Sequence, residues 1–161
     1  MPMNPSGAKT MRTVEALRDA LSRGGPAAAL EYLNQGVPHR YTAMYRFHGE
    51  LLRNVLLCDK LGHVRPDFLL AVPFKHSFCQ FVLRDQAFRT EDSRQDKRLD
   101  GHPYQGVVIS YHSVPLTTDD GSLWGTLSHF DMHSSVLSDE EFHLLESAAR
   151  LLGSQLRLLD R

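Results

Sequence analysis

Cysteine is scarce in this chain: two residues, Cys58 and Cys79, among 161. Neither belongs to a C-x-x-C pair, so a zinc ribbon or a thioredoxin-type motif is excluded. Neither sign of charge dominates, with 18 Lys and Arg against 19 Asp and Glu. A net charge of -1 gives no sign of a basic face for a nucleic acid, and none is expected as a partner. No apolar run is long enough to cross a bilayer, and the opening MPMNPSGAKTMRT lacks the apolar core of a signal peptide. These absences predict a cytoplasmic protein with reduced thiols and no membrane partner.

What is present suits one globular domain. The length supports a core without disulfide or metal staples, and 42% of the residues are hydrophobic. Residues 1–9 are rich in Pro, Gly and Ser and read as a flexible N-terminus, with the domain over 10–161. Met11, Val14, Leu17 and Leu21 recur at helical spacing across Thr10–Ser22. Gly24-Gly25 breaks that helix, and Pro26 suits the first turn of a second one, which ends at Gly36.

Period-two patterning follows. Tyr41, Ala43, Tyr45 and Phe47 share one face of a strand over Arg40–Phe47, and Leu51–Asp59 returns after His48-Gly49-Glu50. Phe68–Val72 reads as a strand, Ser77–Arg84 as a short helix and Ala87–Thr90 as a short strand. Glu91–Asp100 reads as a charged loop. Val107–Leu116 and Leu123–Phe130 flank Asp119-Asp120-Gly121, a hairpin signal because Gly takes positive φ without a Cβ clash. Along the second strand, Trp124, Thr126, Ser128 and Phe130 alternate with Leu123, Leu127 and His129. Periodicity leaves open which set faces a ligand.

The last element is a helix from Ser138 to about Leu159. Ser138 and Glu141 form a capping box, and Leu137 with Phe142 a hydrophobic staple. Phe142, Leu145, Ala149, Leu152, Leu156 and Leu159 make one apolar stripe; Leu144, Ala148, Leu151 and Leu158 make a second. Two stripes exceed what covering a sheet needs, so part of the face is expected to meet either the N-terminal helices of the same chain or a second subunit, with the first stripe as the candidate dimer helix. The element order, dominated by hairpins, predicts an α+β sandwich: an antiparallel sheet with the terminal helices on one face.

RYTAMYRF (40–47), PFKHSFCQFV (73–82), FRTEDSRQDKRL (88–99), ISYHSVPL (109–116) and GSLWGTLSHFD (121–131) occur in the order seen in GAF domains. The chain resembles that family from about Pro26 to Leu159. The resemblance implies five or six antiparallel strands, terminal helices on one face, and short helices and loops over a small-molecule pocket on the other. It also implies dimerisation through the terminal helices and a sensory role in signal transduction. With no output domain alongside, a signalling partner addressed in trans is expected. The family's cyclic-nucleotide signature, its Cys-His chromophore attachment and the cysteine set of its methionine-(R)-sulfoxide reductases are not matched here. The ligand is therefore unassigned, no cofactor is required, and haem or a tetrapyrrole is not expected.

Pocket candidates carried by the resemblance and by chemistry are Phe78, Cys79, Asp92, Arg94, Asp96, Tyr111, Ser113, Thr126 and His129. Cys79 is expected to be a small buried residue, the usual fate of a free Cys; only at a helix start near His76 or Lys75 would its thiol pKa be lowered. With Cys58 as resolving partner it would make a thiol reductase of a small oxidised metabolite, the alternative to a non-enzymatic sensor. A third reading is a ligand-free dimerisation module whose pocket is filled by Phe and Tyr. Arg94 on its loop could clamp a carboxylate or phosphate. His112 or His129 could reach a haem iron from a pocket. His129 and His133 lie across a strand end and lack the helical face a two-His zinc motif needs. Ser110, His112 and Asp131 lack the strained nucleophile turn of a hydrolase and are not expected to form a triad.

Overall fold

The computed structural model describes residues 12–159. Thr10, Met11 and the whole segment 1–9 lie outside them.

Helix α1, Val14–Gln35, starts where the Thr13 hydroxyl accepts the Ala16 N–H at 3.0 Å. Gly25, at φ 74° and ψ -168°, divides it into two arms, and Pro26 opens the second. The break expected at Gly24-Gly25 is therefore present. Strands β1 (Tyr41–His48) and β2 (Leu51–Asp59) form a hairpin. Next come β3 (Ala71–Pro73), α2 (Cys79–Asp85) and β4 (Phe88–Thr90). The second hairpin is β5 (Ser110–Thr117) with β6 (Leu123–Asp131), and α3 (Asp139–Leu152) follows. The six strands lie in the order β3-β2-β1-β6-β5-β4, and every neighbouring pair is antiparallel.

The sheet separates two cores. On one face α1 and α3 pack together and onto the strands, burying Leu17, Leu30, Leu33, Met44, Leu127, Leu145 and Leu152. On the other face α2 and the long connections cover Tyr41, Tyr45, Leu52, Phe88, Tyr111 and Phe130. Each fully buried leucine contributes about 1.5–3 kcal/mol through its removal from water. The closest backbone approach is at Gly125 on β6. A Cβ there would lie 1.8 Å from the Tyr45 carbonyl oxygen of β1, so glycine is required.

Four local readings need correction. Phe68–Val72 is not one strand. Asp67–Leu69 is a 3-10 turn, closed by Leu70 N–H to the Asp67 carbonyl, and extension begins at Ala71. Trp124 does not share the face of Thr126, Ser128 and Phe130. The β5–β6 register slips at Leu116/Thr117, making Trp124 the extra residue of a bulge, and it joins the helix-side core. The C-terminal α-helix stops at Leu152 and continues as a 3-10 helix over Gly153–Leu159. Gly153 packs so closely that a Cβ would lie 3.0 Å from the Thr117 carbonyl oxygen.

The fourth correction concerns the capping box, which is only half made. Ser138 Oγ accepts the Glu141 N–H at 3.2 Å. The Glu141 carboxylate instead takes two hydrogen bonds from the Arg12 guanidinium, at 2.5 and 3.0 Å. Arg12 also donates to the Tyr32 and Leu33 carbonyls at the end of α1. One cation thus closes the C-terminus of α1 and ties it to the N-terminus of α3, where the helix dipoles favour each charge.

The proposed subunit seam is mostly used within the chain. Leu145, Leu152 and Leu156 are completely buried and Phe142 nearly so, while Ala149 and Leu159 pack half-buried on the same core. Of the second stripe, Leu144 and Ala148 are also buried, whereas Leu158 is exposed. The breadth of the apolar face arises because α3 meets α1 and the sheet together.

Candidate functional site

A cavity of about 70 Å³ lies on the sheet face away from the terminal helices. Tyr45 (β1), Leu52 (β2), Tyr111 (β5), Ser128 and Phe130 (β6) form its floor. Three covering segments close it: Phe68–Val72, the turn into α2 at Ser77–Cys79, and the connection carrying Tyr104 and Val108. The Tyr45 hydroxyl donates to the Leu69 carbonyl at 2.7 Å and pins the first of these segments to the sheet. Phe68 is the exposed member of the lining and marks the mouth.

A row of small hydrogen-bonding groups crosses the floor. Cys79 Sγ lies 3.1 Å from the Tyr111 hydroxyl and 3.4 Å from Thr126 Oγ1. The Tyr111 hydroxyl is 3.3 Å from Ser128 Oγ, which is 2.7 Å from Ser113 Oγ. These groups stay neutral. Burial pushes the Cys79 thiol up and the Tyr111 phenol well above its ordinary value. Tyr45 is shifted the same way, chiefly by burial. Cys79 is the first residue of α2 and is the buried free thiol expected of it, with desolvation raising its pKa rather than the helix start lowering it.

Of the expected pocket residues, the structure brings together Phe78, Cys79 and Tyr111 in the lining, with Ser113 and Thr126 hydrogen-bonded to lining groups. The others stand elsewhere. Asp92 accepts the Arg94 N–H and pairs with the Arg94 guanidinium. Asp96 does the same for Arg98. Both carboxylates cap 3-10 turns, over Ser93–Gln95 and Lys97–Leu99, and neither they nor Arg94 line the cavity. This is local turn chemistry, in which an Asp side chain bonds backbone two residues on.

His129 faces the terminal helices. Its Nδ1 lies 2.6 Å from Thr42 Oγ1, which accepts from Asn34 Nδ2 at the end of α1. His112 shares that face, with Nδ1 3.0 Å from His39 Nε2. Neither imidazole can reach a ligand in the cavity, because the sheet stands between them. Burial is the main cause that lowers His39 to about 4, His112 to about 3 and His129 well below its ordinary value. Among the described residues, no group of three or more His, Cys, Asp or Glu is arranged to hold a metal. Ser110, His112 and Asp131 bond to the His133 carbonyl, His39 and the Arg40 N–H respectively, three separate partners. Cys58 packs half-buried against the helix-side core, on the opposite face of the sheet from Cys79.

Sequence reasoning missed ten of the thirteen lining residues, among them Tyr45, Leu52, Ser128 and Phe130 on the sheet and Leu69, Tyr104 and Val108 above it. Tyr45 was placed on the correct shared face by alternation, but that face was not assigned to a pocket. Leu69 and Val108 fall in segments that read as strands, but Leu69 ends a 3-10 turn and Val108 lies in a turn on the Tyr104 carbonyl before β5 begins at Ser110; Tyr104 lies in an aperiodic connection.

The chain is thus an α+β domain with an antiparallel sheet, helices on one face and a loop-covered cavity on the other. The family model for the GAF domain matches residues 13–156, and the chain belongs to the GAF domain family. Solved structures agree on the fold. The chromophore-binding domain of the bacteriophytochrome RpBphP3 from R. palustris superposes with a TM-score of 0.71 at 14% identity, over 91% of this chain and 60% of that one. A putative GAF sensor protein from Burkholderia vietnamiensis gives 0.66 at 19% identity, over 88% and 89%. The free methionine-R-sulfoxide reductase from Neisseria meningitidis gives 0.69 at 14% identity, over 89% and 86%. No curated protein matches by sequence.

Proposed function

We propose that this domain is a small-molecule sensor in signal transduction that admits its ligand over Tyr111 and acts on a partner protein in trans. The observation that carries this is the buried, uncharged row Cys79–Tyr111–Ser128 on the floor of a cavity with a partly open mouth. Output passes through the sheet. Tyr111 and Ser128 face the cavity, while the next residues, His112 and His129, contact His39 and Thr42 beneath the helices. A ligand that prefers one packing of that layer shifts the equilibrium toward it. A homodimer, if it uses the helix layer, draws on the outward Leu158 and the half-buried Leu151 and Ala149.

Native mass spectrometry of protein from its own host tests the reading. The expected result is a stoichiometric low-mass adduct lost on denaturation. A protein that carries no adduct, and whose thermal midpoint no metabolite fraction moves, is not a sensor of this kind.

The second reading is a thiol reductase, favoured by the structural likeness to the Neisseria enzyme, solved in complex with its substrate. It needs a thiolate and a resolving cysteine. Burial raises the Cys79 pKa, and Cys58 lies across the sheet, so the sensor reading has the better support. Reduction of free methionine sulfoxide by the wild type, lost in Cys79→Ser, would reverse that preference.

A further inference from the structure

We infer that the cavity takes a small, uncharged, mainly apolar molecule about the size of one aromatic ring, with a single hydrogen-bonding group meeting the Tyr111 hydroxyl. This rests on the sensor reading and names the ligand class for the same site.

Charge is the first argument. None of the thirteen lining residues is Asp, Glu, Lys or Arg. In the 91–100 loop Arg94 is committed to Asp92 and Arg98 to Asp96, and Lys97 does not line the cavity. A carboxylate, phosphate or ammonium in the cavity would be desolvated without a counter-charge, which is strongly unfavourable. Free amino acids, their sulfoxides and cyclic nucleotides all carry such groups at neutral pH.

Size is the second. About 70 Å³ is more than the roughly 10–15 Å³ a single water needs and far below the 300–1,000 Å³ of ordinary ligand pockets. An apolar cavity of about 150 Å³ holds one benzene, so this space takes at most one ring or a short branched chain, reaching toward the mouth at Phe68, and is far too small for a tetrapyrrole. The walls suit a ring: Phe78 stands edge-on to Tyr111 at 5.4 Å, and Phe130 lies opposite on β6.

Hydrogen-bonding capacity is the third. The Tyr45 hydroxyl already donates to the Leu69 carbonyl, and Ser77 Oγ to the Phe74 carbonyl. At the other end Cys79, Tyr111 and Ser128 bond one another at 3.1 and 3.3 Å, and beyond that the Thr126 and Ser113 hydroxyls. The Tyr111 oxygen can both donate and accept, so it can take up one ligand hydroxyl or carbonyl.

The test is a titration of the isotope-labelled chain with phenol, toluene, L-methionine sulfoxide and cyclic AMP, followed through the amide signals of Cys79, Tyr111 and Ser128. Phenol is expected to bind saturably and toluene more weakly, with the two charged compounds leaving these signals in place. Tyr111→Phe, which preserves shape, should weaken phenol by about tenfold and toluene by less than about twofold. The wild-type comparison of neutral against charged probes stands even without the variant. Saturable binding of either charged compound at these residues would overturn the ligand class and leave the sensor reading intact. If neither phenol nor toluene moves them, the ligand class is likewise overturned. If, in addition, no fraction of host metabolites moves them, the sensor reading fails with it.

Discussion

Tyr111 and His112 are consecutive on β5, yet they belong to two separate cores. The Tyr111 hydroxyl lies 3.1 Å from Cys79 Sγ on the cavity side, and His112 Nδ1 lies 3.0 Å from His39 Nε2 under the helices. Each side therefore makes its own demands on protonation, and both are measurable.

On the helix side, His39, His112 and His129 are buried as neutral rings, with pKa values lowered from 6.5 chiefly by desolvation. A depressed folded pKa means that the unfolded chain binds protons first. Their contribution is thus fully present above pH 6.5 and is lost as pH falls toward 4. Each histidine loses up to about 1.4 kcal/mol per pH unit in that window. Urea unfolding is expected to show about 4 kcal/mol less stability at pH 5.5 than at pH 7.5, taking the three together. Equal midpoints at the two pH values would contradict the buried neutral cluster.

Cys79 should be the slow thiol. It is buried, and its pKa is raised by desolvation, while Cys58 is half-buried with a pKa also raised by burial. In native protein at pH 7.5, iodoacetamide is expected to label Cys58 before Cys79, with Cys79 reacting only on unfolding. Mild oxidation should yield no Cys58–Cys79 disulfide. Rapid labelling of Cys79 would point back to the reductase reading.

Leu152 distinguishes an internal core from a subunit seam. It has no exposed surface. Leu152→Ala should cost about 2–5 kcal/mol of unfolding free energy, by the loss of burial plus the cavity left behind. The loss should be independent of protein concentration. A loss that grew on dilution would place Leu152 at an interface between copies.

The Arg12–Glu141 contact gives a fourth test. Its partners have 25% and 9% of their side-chain surface exposed, so it is screened far less than the open pair Arg23–Asp19. A double-mutant cycle between Arg12→Ala and Glu141→Ala should show coupling of about 1–3 kcal/mol. Ser138→Ala should cost about 1 kcal/mol as a lost cap. It should couple to a Glu141→Gln change by less than about 0.5 kcal/mol, because the Glu141 carboxylate does not return to Ser138.

Much of the fold was legible in the sequence because the signals are local. Gly25 and Pro26 divide α1 by their own backbone constraints. Asp120 and Gly121 turn the β5–β6 hairpin, with Asp120 accepting the Ser122 N–H and Gly121 at φ 84°. Ser138 caps α3 through its own hydroxyl. Less of the site was legible. Cys79 and Tyr111, candidates by resemblance, line the cavity, whereas Asp92, Arg94 and Asp96 bond locally outside it; a capping carboxylate and a ligand-binding carboxylate look alike in sequence.

By itself, the sequence determined which residues share a face wherever period-two or helical spacing holds, and where the chain must turn. Only the tertiary structure decided which face meets the cavity, that His129 belongs under the helices, and that Trp124 changes sides at a bulge. It also directed Glu141 to Arg12 and turned the first α3 stripe inward. Alternation is a property of the single strand. The choice of face depends on the register between strands and on the distant segments that pack over each side.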